Sequence, residues 1–354
     1  MKIDNSLLIE GMVLSKNIIL DENLNETLNC DTILTMADIV RIKDAGIKEV
    51  SVHVGDKYNT FGPYFDYLIK SILERNNIDE FKALAKIMCD ILSKEELLQY
   101  DLSIYLSENY NHLVNSIEIA TIVAKKYNDV TEKSKQVSLE KVILASLLQD
   151  SGRRAKDKKL LLSLRNSEPN IIGELFKTYS TLSEEIFTYY DSKYHPVYSY
   201  LICKNYNLDD DICKAILFHH EKETGEYSLL NSPLSDIEES EFVIIARILK
   251  LADLYDIIVR NNVENNKNLP FVGIGKQIDK MVASGFVNAR LTNILKTVIP
   301  IYQVGTKVLL TDGTKGVIES NDPNDYNNPE VVDLNGKPID LEKENIAIIR
   351  HLED

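Results

Sequence analysis

Apolar residues recur along this chain at two different periods, and the changes of period divide it. In residues 12–20 and 27–34 they fall at strand spacing around a polar stretch at 21–26, the pattern of a hairpin. Thr35, Met36, Ala37 and Asp38 read as a helix start of capping-box type, with aspartate where glutamate or glutamine is usual. The short helix ends at Gly46, a residue suited to the left-handed turn after a helix. Residues 47–54 alternate again, so 1–57 is predicted as a small α/β unit. His53 on that last strand has no ligand partner at useful spacing and is given no metal role. After polar breaks at 55–59 and at Gly62–Pro63, Leu68, Ile72, Leu84, Ile87, Ile91 and Leu98 take helical intervals. Residues 58–110 are predicted as a helical linker. Its apolar face is read as core, or otherwise as a dimer interface or a carrier of signals.

Residues 111–300 keep the helical period. Leu113, Ile117, Ala120 and Ala124 share one stripe of a helix over 112–128. Ser138 to Lys141 opens the next helix, which runs into Gln149 and Asp150. Residues 156–192 read as helical, with a basic knot at Lys156–Lys159 that marks a solvated helix start. His195–Pro196 is predicted to begin another helix, with proline in its first turn. Residues 242–258 form a strongly apolar helix, and 276–298 read as helical. From residue 301 the period changes back: 307–310, 316–319, 330–334 and 346–349 alternate as short strands, with Asp312–Gly313 and Asn335–Gly336 as turn signals. Residues 301–354 are therefore predicted as a β appendage packed on the helical domain.

Composition adds bounds. At 354 residues the chain has room for two or three domains, and 44% hydrophobic with 27% charged residues is an ordinary globular balance. No apolar run reaches the roughly 20 residues of a membrane helix, and residues 1–5 lack the apolar core of a signal peptide. Cys30, Cys89, Cys203 and Cys213 show no paired spacing and read as reduced thiols. A cytoplasmic protein without membrane partners is expected. The net charge of −15 argues against a nucleic-acid partner, because phosphate contacts need a basic face. An anionic ligand would need local compensation from metal ions or a cation such as Arg153.

The candidate chemistry centres on His219–His220, which close an apolar helical run at 215–218 in a chain with only six histidines. One reading is a core histidine bonded to a carbonyl beside a surface histidine. The other is a pair of metal ligands, which needs a helix end or two ions, because neighbours on a helix point about 100° apart. The pair keeps company with Gln149–Asp150–Ser151–Gly152–Arg153, with His195–Pro196 followed by Ser199, and with Ala246–Arg247–Ile248 leading to Ala252–Asp253 and Tyr255–Asp256.

In that order and spacing, residues 110–310 resemble the HD-GYP family of metal-dependent phosphodiesterases, which hydrolyse cyclic dinucleotides, chiefly cyclic di-GMP, in bacterial signalling. The segments 10–14 and 304–308 also look like flanks common in that family. The resemblance implies a mostly α fold: an HD-type helical domain with the α/β unit before it and the β appendage after it. It implies metal ligands at Asp150, His195, His219, His220 and Asp253, with Asp150 and Arg153 as catalytic groups and Arg153 able to fork onto a phosphate. Such a centre works by acidifying a water and neutralising phosphate oxygens.

This chain departs from the pattern in three places. Asn115 and Gln149 stand where the family has histidine ligands. His112 and Glu118, each about a turn from Asn115, are the candidate substitutes. The Gly-Tyr-Pro loop is missing: the chain reads Thr224, Gly225, Glu226, Tyr227, Ser228. The family's basic substrate clamp is replaced by residues 262–266, which are neutral to acidic. The expectation is one divalent metal per chain (iron, manganese or zinc) and a degenerate signalling protein with little or no activity. It would bind cyclic di-GMP, a protein partner or a second copy through 58–110. The alternatives are an active phosphodiesterase with an altered metal site, and a phosphohydrolase acting on another nucleotide.

Overall fold

A computed structural model describes residues 2–21, 26–53, 77–92, 112–154, 191–224, 233–265, 274–299, 301–302, 304–322, 329–341, 343 and 346–352. Two small antiparallel pairs begin it: β1 (Lys2–Asp4) with β4 (Glu49–Ser51), and β2 (Ile18–Asp21) with β3 (Glu26–Leu28). Single bridges from Val13 to Ile33 and from Leu14 to Val52 join the two pairs. Between β3 and β4 lies α1 (Met36–Asp44). Its start is a complete capping box: the Thr35 hydroxyl accepts from the Asp38 amide, and the Asp38 carboxylate accepts from the Thr35 amide. Ile39 and Ile42 bury its inner face.

Of the predicted linker, the described part is 77–92, containing α2 (Ile78–Leu92). Its buried stripe includes Phe81, Leu84, Ile87 and Met88. It packs against the turn Asn5–Leu7 on one side and against the helix Leu139–Leu148 on the other, so it ties the first unit to the helices that follow.

Those helices are α3 (His112–Asp129), α4 (Leu139–Leu148), α5 (Asp191–Asn205), α6 (Asp210–Phe218), α7 (Glu241–Asn265), α8 (Ile274–Ala283) and α9 (Ala289–Val298). α4 is apolar on every side, and all of Val142 to Leu148 is buried. Such a helix belongs in the middle, and it touches α2, α3, α6 and α7. Its start is tied to two neighbours. The Lys141 ammonium lies 2.9 Å from Glu241, 3.0 Å from Asp211 and 3.1 Å from Asp209, the acids at the beginnings of α7 and α6. One cation thus gathers three helix N-termini, where acids are also favoured by the helix dipoles.

One sequence reading is corrected. α5 starts at Asp191, so Pro196 lies inside the helix rather than in its first turn. This near the start, proline removes one hydrogen bond to the carbonyl four residues back, and the helix tolerates the loss. Residues 276–298, read as helical, divide between α8 and α9. Gly285 takes φ +66° and turns the chain, and the Asn288 side chain accepts from the Leu291 amide to start α9. The predicted helix over 156–192 and its basic knot fall outside the described residues, α5's first residues apart.

The final sheet runs β8 (Pro338–Ile339), β7 (Glu330–Asp333), β6 (Lys315–Ser320), β5 (Lys307–Leu310) and β9 (Ile348–His351), antiparallel throughout. The predicted turns at Asp312–Gly313 and Asn335–Gly336 lie between its strands. No helix among the described residues is long and apolar enough to cross a membrane.

The segment after α6, residues 221–224, is clamped to the bundle. Arg247 on α7 donates to both carboxylate oxygens of Glu223 (2.7 and 2.9 Å), and Asn288 donates to one of them (2.9 Å). The Thr224 amide donates to the Gly285 carbonyl. Arg247 is buried, and removing one partner of a buried pair strands the other's charge. Arg247→Ala is expected to lower unfolding free energy by about 3 kcal/mol in urea. In the double variant with Glu223→Ala, the two effects should sum to less than their separate values.

Candidate metal centre

Helix α6 ends at Phe218, and His219 and His220 form the turn that leaves it. The helix end lets adjacent histidines converge: their ring centroids are 3.9 Å apart. His219 Nδ1–H donates to the Ile216 carbonyl at 2.6 Å. That bond fixes the tautomer and leaves the Nε2 lone pair for a ligand, the usual arrangement for metal-binding histidine. His220 is not a surface residue either. Half-buried, it faces His195, with the two Nε2 atoms 3.1 Å apart.

The turn is held from α7. The Lys250 ammonium donates to the carbonyls of Glu221 (2.8 Å) and His220 (3.2 Å) and sits 3.9 Å from the Phe286 ring centroid. Burial pulls its pKa down to about 8. A cation on these last carbonyls complements the helix C-terminus.

His195 reaches the same point from α5 and is fully buried. Its Nε2 lies 3.0 Å from Asp150 Oδ1, as well as 3.1 Å from His220 Nε2. Asp150 comes from the turn after α4, which presses closely on α5. A Cβ on Gly152 would lie 2.4 Å from the His195 carbonyl oxygen and 2.7 Å from Tyr198 Cβ, so only glycine fits there. The Gly152 amide donates to Ser199 Oγ (2.8 Å), and that hydroxyl donates to the Gln149 carbonyl (2.6 Å). Ser199 is therefore the pin between the two segments. Arg153 Nε donates to Asp150 Oδ1 at 2.6 Å, while the side chain is about half exposed. Burial would raise the Asp150 pKa, but the bonds from His195 and Arg153 outweigh it and hold the carboxyl far below its usual range.

The ligand atoms of His195, His219 and His220 all lie within 4.8 Å of one another. In a tetrahedral site with metal–nitrogen bonds near 2.0–2.1 Å, ligand atoms are about 3.3 Å apart. The 3.0 and 3.1 Å separations around His195 Nε2 suit that geometry, and a single N–H cannot fully satisfy both neighbours. Burial, with the facing His195, pulls His219 to about pH 4. Burial, then His219 and His195, pulls His220 lower still. Both rings are neutral at pH 7, as metal ligands must be. The residues fit a divalent metal.

Asp253, the fifth predicted ligand, has a different neighbour. His112 on α3 sits between two carboxylates of α7: Nε2 is 2.9 Å from Asp253 Oδ1 and Nδ1 is 2.5 Å from Asp256 Oδ2. With both ring nitrogens facing carboxylates, both act as donors, and the ring is an imidazolium. Burial alone would lower its pKa, but the hydrogen bonds to Asp253 and Asp256 win and carry it up to about 10. Asn115, one turn on, is wholly buried, and neither amide atom finds a hydrogen-bond partner among the described residues; the same holds for Gln149 Oε1. Glu118, pushed up to about 8 by burial, joins neither group of candidate ligands found among the described residues. The loop at 225–230 and the side chains of 262–266 lie outside the described residues.

The structure thus brings together Asp150, His195, His219 and His220, keeps Arg153 on Asp150, and pairs Asp253 with His112. Sequence reasoning gave no role to Asp256, Lys250 and Ser199. For Asp256 a signal existed, because its spacing of three from Asp253 places both on one helix face.

Lys250→Met should weaken metal binding about 10- to 100-fold, the range for groups that orient ligands, as read by competition with a chelating dye. In chelator-treated protein the two histidine groups set opposite pH limbs. The His112 contribution is complete below about pH 6.5 and lost as pH rises towards about 10. The His219 contribution is complete above about pH 6.5 and lost as pH falls towards about 4. Stability measured by denaturant should therefore peak near neutrality, and His112→Gln should flatten the alkaline limb alone.

No curated protein and no solved structure matches the chain. A family model does match, over residues 109–258, which begin just before α3 and end within α7, and so span every residue of both histidine groups: this chain carries an HD domain.

Proposed function

We propose that the protein is a degenerate relative of the HD-GYP phosphodiesterases that holds one divalent metal at its HD centre and hydrolyses cyclic di-GMP slowly or not at all. Its output is then binding, of a cyclic dinucleotide or of a protein partner. The HD domain is consistent with the metal-dependent hydrolase superfamily.

The observation that carries the reading is the contrast between the two histidine groups. His195, His219 and His220 turn ring nitrogens towards one another beside Asp150, a donor set suited to iron, manganese or zinc. A divalent ion there supplies positive charge for a phosphate and acidifies a water. His112 already supplies a cation between Asp253 and Asp256. A second ion at Asp253 would have to displace it and would find amides at Asn115 and Gln149, which are poor transition-metal ligands beside imidazole. Arg153, half exposed on Asp150, is the group placed to meet a phosphate.

Each missing charge-assisted contact costs roughly 1.5–3 kcal/mol, and each 1.36 kcal/mol of lost transition-state stabilisation is about tenfold in rate. Two such losses slow turnover by about 100- to 10,000-fold. The test is cyclic di-GMP hydrolysis with iron or manganese supplied anaerobically. Wild-type turnover is expected to be undetectable or slower than an intact family member by at least that factor. Robust turnover that disappears in His219→Ala would overturn the reading and establish an active phosphodiesterase. Gains in Asn115→His/Gln149→His would assign the loss to the metal ligands rather than to the absent Gly-Tyr-Pro loop.

A further inference from the structure

His53 has no partner in sequence, yet the fold gives it two. Cys30 and Asp31, in the turn after β3, come beside it. Cys30 Sγ, a carboxylate oxygen of Asp31 and a ring nitrogen of His53 all lie within 4.8 Å of one another. His53 Nε2 is 3.1 Å from Asp31 Oδ1. These residues belong to the N-terminal unit, outside the HD domain at 109–258.

The two segments are held against a common strip of backbone at 13–17. The Asp31 amide donates to the Leu14 carbonyl (2.8 Å), and the His53 amide to the Val13 carbonyl (2.9 Å). The Cys30 amide donates to Asn17 Oδ1 (2.6 Å). Bridges from Val13 to Ile33 and from Leu14 to Val52 fix the same strip on both sides. The three side chains are thus presented by paired backbone rather than by a free loop. Asp31 takes φ +65°, a conformation in which glycine or asparagine would be the easier residue.

We infer that Cys30, Asp31 and His53 form a second metal site, for a divalent transition ion of borderline softness such as zinc. Thiolate, imidazole and carboxylate are the donor types such ions take, and magnesium and calcium do not take sulfur. Three protein ligands leave a fourth position, and the exposure of all three residues opens it to water or to an external donor. Binding forms three ligand bonds and releases the Cys30 thiol proton to solvent. The chain's net charge of −15 favours the approach of cations.

The two metal sites differ in one element, which makes them separable: the HD centre offers nitrogen and oxygen only. Cobalt(II) titrated into the full chain should therefore produce a near-ultraviolet sulfur-to-cobalt charge-transfer band with the intensity of one thiolate–cobalt bond per chain, and zinc should bleach it. Cys30→Ser should abolish the band, and His53→Ala should weaken binding at least tenfold. Both residues lie at the surface, so the variants are expected to keep the wild-type circular dichroism. Absence of the band in the wild type would overturn the inference. So would its persistence in Cys30→Ser, which would assign it to another cysteine, or unchanged affinity in His53→Ala, which would mean capture by a lone thiol. Loss of metal from the HD centre leaves the band untouched, so this test and that of the proposed function fail independently.

Discussion

Asp253 and Asp256 lie one turn apart on the same face of α7, and Asp256 is fully buried. Two carboxylates brought into a helical core need a cation nearby, because unpaired buried charge is costly. His112 provides it from α3. The contact holds together two of the most extensively packed helices of the domain without any ion. It also divides the domain electrostatically. One half carries a protein cation of its own, between its two carboxylates. The other presents three imidazoles, two of them held neutral by burial, whose lone pairs call for a cation from outside.

The metal-facing half depends on supports that are not ligands. Gly152 lets the Asp150 turn lie against the backbone of His195, and Ser199 pins the two together. Lys250 holds the carbonyls of the His219–His220 turn, and Arg247 fixes the segment that follows through Glu223. In the fold they decide where four candidate ligands meet.

Much of this was legible in the sequence. The capping box at Thr35, the hairpins at 12–34 and 307–320, and the buried helix carrying Asp253 follow from local pattern, because caps, turns and periodicity act over a few residues. The convergence of Asp150, His195 and His219–His220 was legible only through resemblance. What was missed depends on contacts across long separations. Nothing near His112 announces two carboxylates more than 140 residues away, and nothing near His53 announces Cys30. Pro196 misled because proline's common role at a helix start can be overridden by neighbouring periodicity.

The account turns on the number of ions at the HD centre, and elemental analysis of chelator-free protein measures it. Cys30→Ser is the appropriate background, since it removes the proposed sulfur site from the count. The account predicts close to one iron, manganese or zinc per chain in that background, and none after the further change His219→Ala in protein that remains folded. Two ions per chain in the Cys30→Ser protein, or one that persists without His219, would contradict it.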